Sequence, residues 1–491
     1  MTTNDRAERH DTAAPPSPGV PKPGEGTLTT AIERIGWTRV HTFVVVMVLG
    51  GMFFDALEQD TTGAIVEGLK ASFGMGTAQM TLLNTVMIIG GLVGRLLTGW
   101  MADRYGRRFV LSFNLVLYTI GGLLSAVAPD AGWLFVTRFI VGVGLGGEFT
   151  VGLALVSEIV PTRFRGTVAA SLNIGSGGIG NFVAFGLFLI VLGPLNDVLG
   201  GTASSWRWLY VFLAVPALLV IVIRRYMPES PRFLLSQGRV DEANRALTVL
   251  NSQSLIPRSE QKTLTPRVYV TEADVPKAAN RRVPLRSLFA THSLGRTAAI
   301  GIASWMSFGA QITLLVLMPT ILLSKGYSIT ASLGFTMIMN LGSLVGASAA
   351  AYFAYRFRRK AVVVLGAVLG CLSAIAFASF SNGVALILVL GAVFQFFALL
   401  LNTTLAAWSP EIYPTHVRAL GTSVVNGIGN VSGAVMPLIA VPLFAAFGVP
   451  GVFILLAGMY VLLAIAAVFA PETHGKTLED INPEDAVISI A

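Results

Sequence analysis

The sequence predicts an all-α integral membrane protein: twelve transmembrane helices in two pseudo-symmetric six-helix halves, with both termini in the cytoplasm. Composition, the spacing of apolar segments and the distribution of basic residues carry this prediction. Of the 491 residues, 54% are hydrophobic and only 12% are charged. An average soluble domain has roughly 25% charged residues, so the charges here are too few to cover a water-facing surface of this size. The composition therefore excludes a soluble enzyme and a disordered chain.

Apolar segments of spanning length recur along the chain. A spanning helix needs about 20 apolar residues, and in lipid every backbone amide must find an internal partner, which favours helices. Six segments are expected in the first half, at 40–65, 80–101, 109–128, 133–156, 167–192 and 207–226. Six more are expected in the second half, at 297–323, 332–354, 361–380, 383–408, 420–446 and 450–470.

Two short repeated motifs indicate that the halves are homologous. The segment Glu-Ile-Val-Pro-Thr-Arg-Phe-Arg at 158–165 and the segment Glu-Ile-Tyr-Pro-Thr-His-Val-Arg at 411–418 share five of eight residues. Pro-Glu-Ser at 228–230 follows the sixth span, and Pro-Glu-Thr at 471–473 follows the twelfth. Matching motifs at corresponding places favour a duplicated six-helix unit.

The chain divides accordingly into five regions. They are a disordered cytoplasmic tail (1–39), an N-terminal half (40–226), a central cytoplasmic loop (227–295), a C-terminal half (296–470) and a second cytoplasmic tail (471–491).

Basic residues orient the predicted spans and explain the net charge of +8. Most of the 34 Lys and Arg residues fall in loops that lie on one side when both termini are cytoplasmic, as the positive-inside rule requires. The basic excess thus indicates topology and attraction to anionic lipid, not nucleic acid. The expected location is the cytoplasmic (inner) membrane, as a multi-pass protein. The sequence has no Cys/His cluster that would suggest a metal site. It also has no glycine-rich nucleotide-binding loop that would suggest ATP-driven transport.

A few charged residues lie inside the predicted spans, and all of them belong to the first half. A charge within a span costs at least a few kcal/mol, so it usually has a partner and a role. These residues are Asp55, Glu58 and Asp60 in the first span, Arg95 in the second, and Arg138 and Glu148 in the fourth.

Depth along the helices suggests how these charges pair. At about 1.5 Å per residue, Asp55 and Arg138 lie at nearly the same depth, which predicts an Asp55–Arg138 pair with Glu58 one turn away. Arg95 and Glu148 lie nearer the cytoplasm and are expected to form a second pair. The functional interpretation is a carboxylate that takes and releases a proton beside a guanidinium. The alternative is a set of static ion pairs that fix helix packing.

A short charged turn joins the second and third spans. It contains Gly99, Asp103, Arg104, Gly106, Arg107 and Arg108 in the order G-W-M-A-D-R-Y-G-R-R. Gly106 permits an unusual backbone angle, and Asp103 can cap a helix or pair with a basic neighbour. Such a clasp suits a gate on the cytoplasmic side.

The pattern G-x-x-x-D-R-x-G-R-R resembles the loop signature of the major facilitator superfamily, and the resemblance covers about 38–480. The segment 138–148 resembles the fourth-helix motif of the sugar-porter and metabolite–proton symporter branches, and 228–232 and 471–477 resemble their end-of-half motifs. The segment 53–58 is similar to the first-helix D-x-x-D motif of aromatic-acid–proton symporters, with Glu58 in place of the second Asp. The loop at 355–360 departs from the signature because it lacks the Asp and the Gly.

The resemblance implies a secondary active transporter, not an enzyme, whose two halves rock to give alternating access. The leading expectation is symport of a small organic solute with protons, an organic or aromatic acid first among the substrate classes. The proton is the coupling ion and no other cofactor is expected. The alternatives are a proton-coupled exporter of drugs or metabolites, and a sugar porter. A receptor built on this fold is an alternative of another class. It would need a large ordered soluble domain, for which the central loop at 227–295 is too short. The partners are the solute and the lipid bilayer, and the oligomeric state is open.

Two further groups of residues are expected to serve such a transporter. Glu158, Arg165, Glu411 and Arg418 are expected to form cytoplasmic salt bridges that hold the halves together when the protein opens outward, with a solvated loop as the alternative. Candidates for the cavity wall in the second half are Trp305, Gln311, Asn340, Gln395 and Asn426. Each of these is alternatively a packing residue or an interhelical hydrogen-bond residue.

Overall fold

Every regular element in the described part of the chain is helical. The structure is a computed structural model that describes residues 28–275, 291–413 and 418–473. Ten helical segments of these residues are long and apolar enough to cross a membrane, judged by length and composition. The all-helical membrane class predicted from the composition is therefore confirmed.

The described part of the N-terminal half, with the segment before it, contains eleven α-helices. They are α1 (Leu28–Ile35), α2 (Arg39–Ala64), α3 (Val66–Phe73), α4 (Thr77–Tyr105), α5 (Arg107–Ala126), α6 (Ala131–Gly146), α7 (Glu148–Ile159), α8 (Thr162–Asn173), α9 (Asn181–Leu192), α10 (Thr202–Phe212) and α11 (Pro216–Tyr226). A π-helical stretch, Ile174–Gly180, joins α8 to α9. Two of the breaks fall at glycine or proline, since α6 stops at Gly147 and α11 restarts with a proline in its first turn.

The central loop folds partly into short helices. They are α12 (Pro231–Ser236), α13 (Val240–Asn251), α14 (Arg258–Thr263) and a 3-10 turn, Glu272–Asp274. Apolar side chains of α12 and α13, among them Phe233 and Leu247, join a buried cluster of the N-terminal half. The loop therefore packs on this half, and its remaining segment, 276–290, lies outside the described residues.

Residues 28–35, predicted from composition to belong to a disordered tail, form helix α1. Leu28, Ala31 and Ile32 are buried in the same cluster as α13. Just after α1, the Thr38 hydroxyl donates a hydrogen bond of 2.7 Å to the Leu250 carbonyl. Three apolar residues on one face suffice to dock this short helix, although the surrounding composition is polar.

The described part of the C-terminal half contains five α-helices. They are α15 (Thr291–Ser324), α16 (Ile329–Arg356), α17 (Arg359–Phe380), α18 (Val384–Trp408) and α19 (Arg418–Phe469), with a 3-10 turn, Ser409–Glu411, after α18. Helix α19 runs for 52 residues but breaks at Gly448, whose φ of 64° lies in the left-handed region. Glycine adopts this φ without strain, so the element consists of two helices joined by a kink.

The two halves meet along several helix pairs. Gly63 of α2 lies against the backbone of Leu315 and Val316 in α15, where an added Cβ would come within 3.0–3.1 Å of their carbonyl oxygens. The Thr85 hydroxyl of α4 donates a 2.8 Å hydrogen bond to the Ala434 carbonyl of α19. These contacts join the halves at one end of the spans and leave the charged residues of the first half deeper along α2 and α4.

Glycines bring α4 and α6 into backbone contact. A Cβ added at Gly142 would overlap the Met87 carbonyl oxygen, and one added at Gly146 would overlap the Gly91 carbonyl oxygen. Small residues at such interfaces let two membrane helices approach closely. This close approach sets the position of Arg138, which lies on α6 one turn before Gly142.

We expect Gly142→Ala to lower the thermal stability of the detergent-solubilised protein. The added methyl must push α4 away from α6, and overpacking of this kind costs about 1–3 kcal/mol. Gly458→Ala is the matched control, because a Cβ at this helical position meets nothing within 4 Å. The fraction that stays monodisperse after heating measures the effect. Equal heat tolerance of the two variants would contradict the packing argument.

Candidate functional site

A buried ion pair joins α2 to α6 in the middle of the first half. The Arg138 Nη1 atom lies 2.5 Å from the Glu58 Oε1 atom, and both side chains are almost fully buried. Arg138 Nη2 also donates a 3.1 Å hydrogen bond to the Ser125 hydroxyl. The guanidinium lies 4.4 Å from the centre of the Tyr210 ring. Arg138 therefore has an acid, a hydroxyl and an aromatic face around it.

Arg138 does not pair with Asp55, so the pairing predicted from the sequence is wrong. The two residues were expected at the same depth, but Glu58 lies three residues farther along α2, about 4.5 Å of rise. The glutamate also has one more methylene group with which to reach across to α6. An error of one helical turn in depth is enough to exchange the two acids.

Asp55 is buried beside the pair but is not held by it. One of its carboxylate oxygens, Oδ1, has no hydrogen-bond partner among the described residues. Its charged neighbours are Arg95, Glu58 and Glu148, which interact with it electrostatically. Asp55 thus lies among one guanidinium and two acids, without a direct salt bridge in the described part of the chain.

Glu148 approaches Asp55 from α7. Its carboxylate lies against Gly51 so closely that a Cβ at that position would overlap Oε1. Gly51 precedes Asp55 by four residues, so the two acids lie about one turn apart along α2. Glu148 is the first residue of α7, after the break at Gly147, and the break directs its side chain towards α2.

Arg95 contacts neutral oxygens instead of Glu148. Its Nε atom donates a 3.0 Å hydrogen bond to the Gly146 carbonyl, and Nη2 donates a 2.9 Å hydrogen bond to the Asn430 side-chain oxygen. The predicted Arg95–Glu148 pair is therefore wrong, because Glu148 faces α2 while Arg95 faces α6 and α19.

Ser125 and Tyr210 surround Arg138 but are absent from the residues predicted from the sequence. They come from α5 and α10, and both are buried. Neither is charged, so nothing in the sequence distinguishes them from the other hydroxyl residues of the spans.

The polar candidates of the second half fall into different settings. Gln311 accepts a hydrogen bond from Asn402, which in turn accepts one of 2.6 Å from the Ser307 hydroxyl. Gln395 is buried, and its amide atoms have no hydrogen-bond partner among the described residues. Asn340 bonds within α16, to the carbonyl four residues earlier, which indicates a structural role.

Trp305 and Asn426 lie near the α15–α19 contact. Trp305 lines an apolar cavity of about 390 Å³ between these helices, together with Gly301 and Ile428. The Asn426 backbone carbonyl accepts a 2.7 Å hydrogen bond from the Asn430 side-chain nitrogen. A role in binding substrate stays a prediction for all five candidates.

The charged turn between α4 and α5 is built around a glutamate of the central loop. Gly106 has a φ of 97°, and a Cβ there would overlap the Glu229 carboxylate. Glu229 Oε1 accepts hydrogen bonds from the backbone amides of Arg107 (3.0 Å) and Arg108 (3.2 Å). Burial raises the pKa of the Glu229 carboxyl, and these amides oppose that shift.

The side chain of Arg107 ties the turn to the end of α7. It forms salt bridges with Glu158 (3.0 Å) and with the exposed Asp103 (3.3 Å). Its Nη1 atom also donates a 2.8 Å hydrogen bond to the Ala102 carbonyl. Arg107 thus links the end of α4 to α7.

The other two arginines of the turn have separate partners. Arg104 lies 5.7 Å from the Trp100 ring, and Arg108 bonds to the Arg224 carbonyl at the end of α11. Nothing would meet a Cβ at Gly99 within 4 Å. Gly106, and not Gly99, is therefore the glycine that the geometry of the turn requires.

The second half repeats this arrangement with different residues. Arg359 forms a 3.1 Å salt bridge with Glu411, as Arg107 does with Glu158. The Lys360 amide donates a 3.3 Å hydrogen bond to Glu472, as the Arg107 amide does to Glu229. The loop at 355–360 therefore keeps the geometry although it lacks the signature Asp and Gly.

These salt bridges join helices within one half, whereas bridges between the halves were expected from the sequence. Both partners of each bridge belong to the same half in the described residues. Arg165 donates to the Val160 carbonyl at 3.1 Å, also within one half. The Arg418 side chain lies outside the described residues, so its predicted salt bridge has no counterpart here.

The sequence profile of the sugar (and other) transporter family matches residues 42–484. The chain belongs to this family. It is therefore a membrane transporter and not an enzyme, and the resemblance drawn from the loop and helix motifs is confirmed.

Curated relatives span nearly the whole chain. The niacin transporter of Acinetobacter baylyi is 30% identical over 463 residues, covering 93% of this chain and 99% of that protein. The D-xylose transporter of Levilactobacillus brevis is 25% identical over 454 residues, covering 88% and 93%. The chain is therefore similar to transporters of chemically different solutes.

Solved structures share the fold. The inward-open xylose transporter XylE from E. coli superposes with a TM-score of 0.67 at 20% identity, covering 91% of this chain and 99% of that chain. This likeness shows that the chain shares the fold of that protein.

We expect Glu58→Gln to destabilise the transporter far more than Asp55→Asn. Removing Glu58 leaves the Arg138 guanidinium buried and uncompensated, which costs about 3–5 kcal/mol, whereas Asp55 has no direct salt bridge to lose among the described residues. Heat tolerance in detergent measures both variants. The double variant Glu58→Gln/Arg138→Met should regain stability because neither buried charge of the pair is left. Greater loss with Asp55→Asn would restore Asp55 as the partner of Arg138.

Proposed function

We propose that the protein is a secondary active transporter that carries a small organic solute together with protons by alternating access. One observation supports the coupling above all: Asp55 is a buried acid without a salt bridge in the described part of the chain, close to a paired acid and to a guanidinium. A buried carboxyl that is not locked into a salt bridge can gain and lose a proton as its surroundings change. Glu58, held by Arg138, supplies the fixed charge beside it.

We further propose that the protein crosses the inner membrane twelve times and that both termini lie in the cytoplasm. Helices α10 and α11, interrupted only at 213–215, together have the length of a sixth span. Helix α19 supplies an eleventh and a twelfth on either side of Gly448. The basic residues of the turns at 104–108 and 356–360 support the orientation by the positive-inside rule.

The proposed transport cycle uses the contacts between the halves. Gly63 against α15 and Thr85 against α19 join the halves at one end of the spans. Rocking of the halves would open these contacts and close the other end. The intra-half salt bridges of Arg107 and Arg359 would keep each half rigid during this motion.

An organic or aromatic acid is the proposed substrate class. The first-helix segment 53–58 is similar to the motif of aromatic-acid–proton symporters. The relative from Acinetobacter baylyi is named as a transporter of niacin, an aromatic carboxylic acid. A sugar porter is the second candidate, favoured by the hydrogen-bonded set Gln311, Asn402 and Ser307, which offers amide and hydroxyl groups to a polyol. Export of a drug or metabolite is the third, since gradients decide direction.

Uptake into proteoliposomes with an imposed pH gradient distinguishes these candidates. The panel consists of nicotinate, benzoate, D-xylose and a cationic dye. Accumulation of the carboxylates against their gradient when the outside is acidic supports acid symport. Accumulation of xylose instead would favour the sugar porter. Proton-driven dye movement in the opposite sense would favour the exporter.

We expect Asp55→Asn to abolish proton-driven accumulation while leaving solute exchange intact. The amide cannot carry the proton, but a neutral side chain of the same shape does not block the conformational change. Net uptake under a pH gradient and counterflow at equal pH are the two measurements. Gln59→Ala, at the exposed neighbouring position on α2, is the control and should behave as the wild type. Accumulation at the wild-type level in Asp55→Asn would remove Asp55 from the coupling mechanism.

A further inference from the structure

Arg95 is half-buried, and its partners differ from those of the fully buried Arg138. Arg138 is neutralised by Glu58 at 2.5 Å. Arg95 has neutral partners, the Gly146 carbonyl and the Asn430 amide oxygen, and no salt bridge within the described residues. A guanidinium in a low-dielectric membrane interior attracts an anion strongly, because water does not screen its charge.

The side-chain amide of Asn430 is oriented so that its oxygen accepts a hydrogen bond from Arg95. Its side-chain nitrogen donates to the Asn426 carbonyl one turn earlier in α19, at 2.7 Å. The side-chain oxygen is thereby turned towards Arg95, from which it accepts a hydrogen bond of 2.9 Å. This bond crosses between the halves, from α4 to α19, so a ligand held by Arg95 at this point would lie at their interface.

We propose that Arg95 is the anchor for the carboxylate of the transported solute, at the α4–α19 interface, with Asn430 as its placeholder in the unloaded protein. This deepens the proposed function and rests on it, since it assigns a monocarboxylate as the substrate. A carboxylate can replace the amide oxygen because a charge-assisted, two-point hydrogen bond with guanidinium is roughly twice as strong as a neutral one. The Arg95 Nε atom, which donates to the Gly146 carbonyl in this structure, lies on the same guanidinium.

Asp55 makes the anchor depend on protons. The charged and titratable groups facing Asp55 are Arg95 from α4, Glu58 from its own helix and Glu148 from α7, with Tyr118 of α5 close to all three acids. An ionised Asp55 competes with an incoming carboxylate for Arg95. A proton on Asp55 removes that competitor, so proton and anion bind together. Co-binding of the two is the requirement for symport.

Equilibrium binding to the purified full-length protein in detergent tests the anchor. The probes are nicotinate and benzoate, each compared with its neutral amide, nicotinamide and benzamide, by titration calorimetry. Wild type should bind the carboxylates at least tenfold more tightly than the amides, and more tightly at pH 6 than at pH 8. Arg95→Gln should lose this preference, and Arg95→Lys should keep part of it.

Asn430→Asp is the decisive variant, because it keeps the shape of the side chain and places an internal carboxylate on Arg95. It should weaken carboxylate binding at least tenfold and so remove the preference for carboxylates over amides. Arg225→Gln, which removes an exposed guanidinium from the end of α11, is the control and should bind as the wild type. Both substitutions lower the net charge by one unit. A difference between the two variants therefore reflects where the charge changes and not the net charge of the protein.

Asp55→Asn separates this proposal from the proposed function. If Arg95 is the anchor, Asp55→Asn binds carboxylates at least as tightly as the wild type and without pH dependence, even though it no longer accumulates them. A retained carboxylate preference in Arg95→Gln, wild-type binding in Asn430→Asp, or no carboxylate preference in the wild type would each overturn the anchor. Accumulation assays on Asp55→Asn test proton symport alone, because the anchor is measured by equilibrium binding.

Discussion

The membrane interior tolerates a charge only when a partner or a ligand compensates it, and the first half of this transporter is arranged around that constraint. Glu58 and Arg138 neutralise each other at 2.5 Å where both are buried. Ser125 and Tyr210 then occupy the remaining faces of the guanidinium. With this pair satisfied, Asp55 and Arg95 lie nearby without direct salt bridges in the described part of the chain. The fixed pair thus leaves a second acid and a second guanidinium, to which the proposed function assigns the proton and the solute.

Glycines allow the helices that carry these charged residues to pack closely. Gly51 lets the Glu148 carboxylate lie against α2. Gly142 and Gly146 let α6 touch the backbone of α4, which brings the Gly146 carbonyl within hydrogen-bond distance of Arg95. An added Cβ at any of these positions would overlap a neighbouring atom, so a larger residue requires the packing to shift. The same small residues that allow close packing therefore also set the electrostatics of the site.

Most of the fold could be predicted from the sequence, because the signals for it are local. Long apolar runs predict helices, and the turn signature at 99–108 predicts a structured charged turn, which the structure builds around Glu229. Helix α1 could not be predicted, because its docking partner, α13, lies more than 200 residues away along the chain. The matching turn of the second half could not be predicted either, because Glu411 and Glu472, the counterparts of Glu158 and Glu229, hold it through contacts between distant segments.

The sequence by itself determined which charges enter the membrane and roughly how deep each lies, since rise per residue is constant along a helix. Only the tertiary structure decided which charges meet. Pairing depends on the rotation of each helix, on breaks such as Gly147 and on which neighbours pack together, none of which is encoded locally. Arg138 therefore meets Glu58 and not Asp55, and Arg95 meets Asn430 of the opposite half and not Glu148. The offset of three residues between Asp55 and Glu58, about 4.5 Å of rise, is comparable to the reach of a salt bridge and so decides the partner.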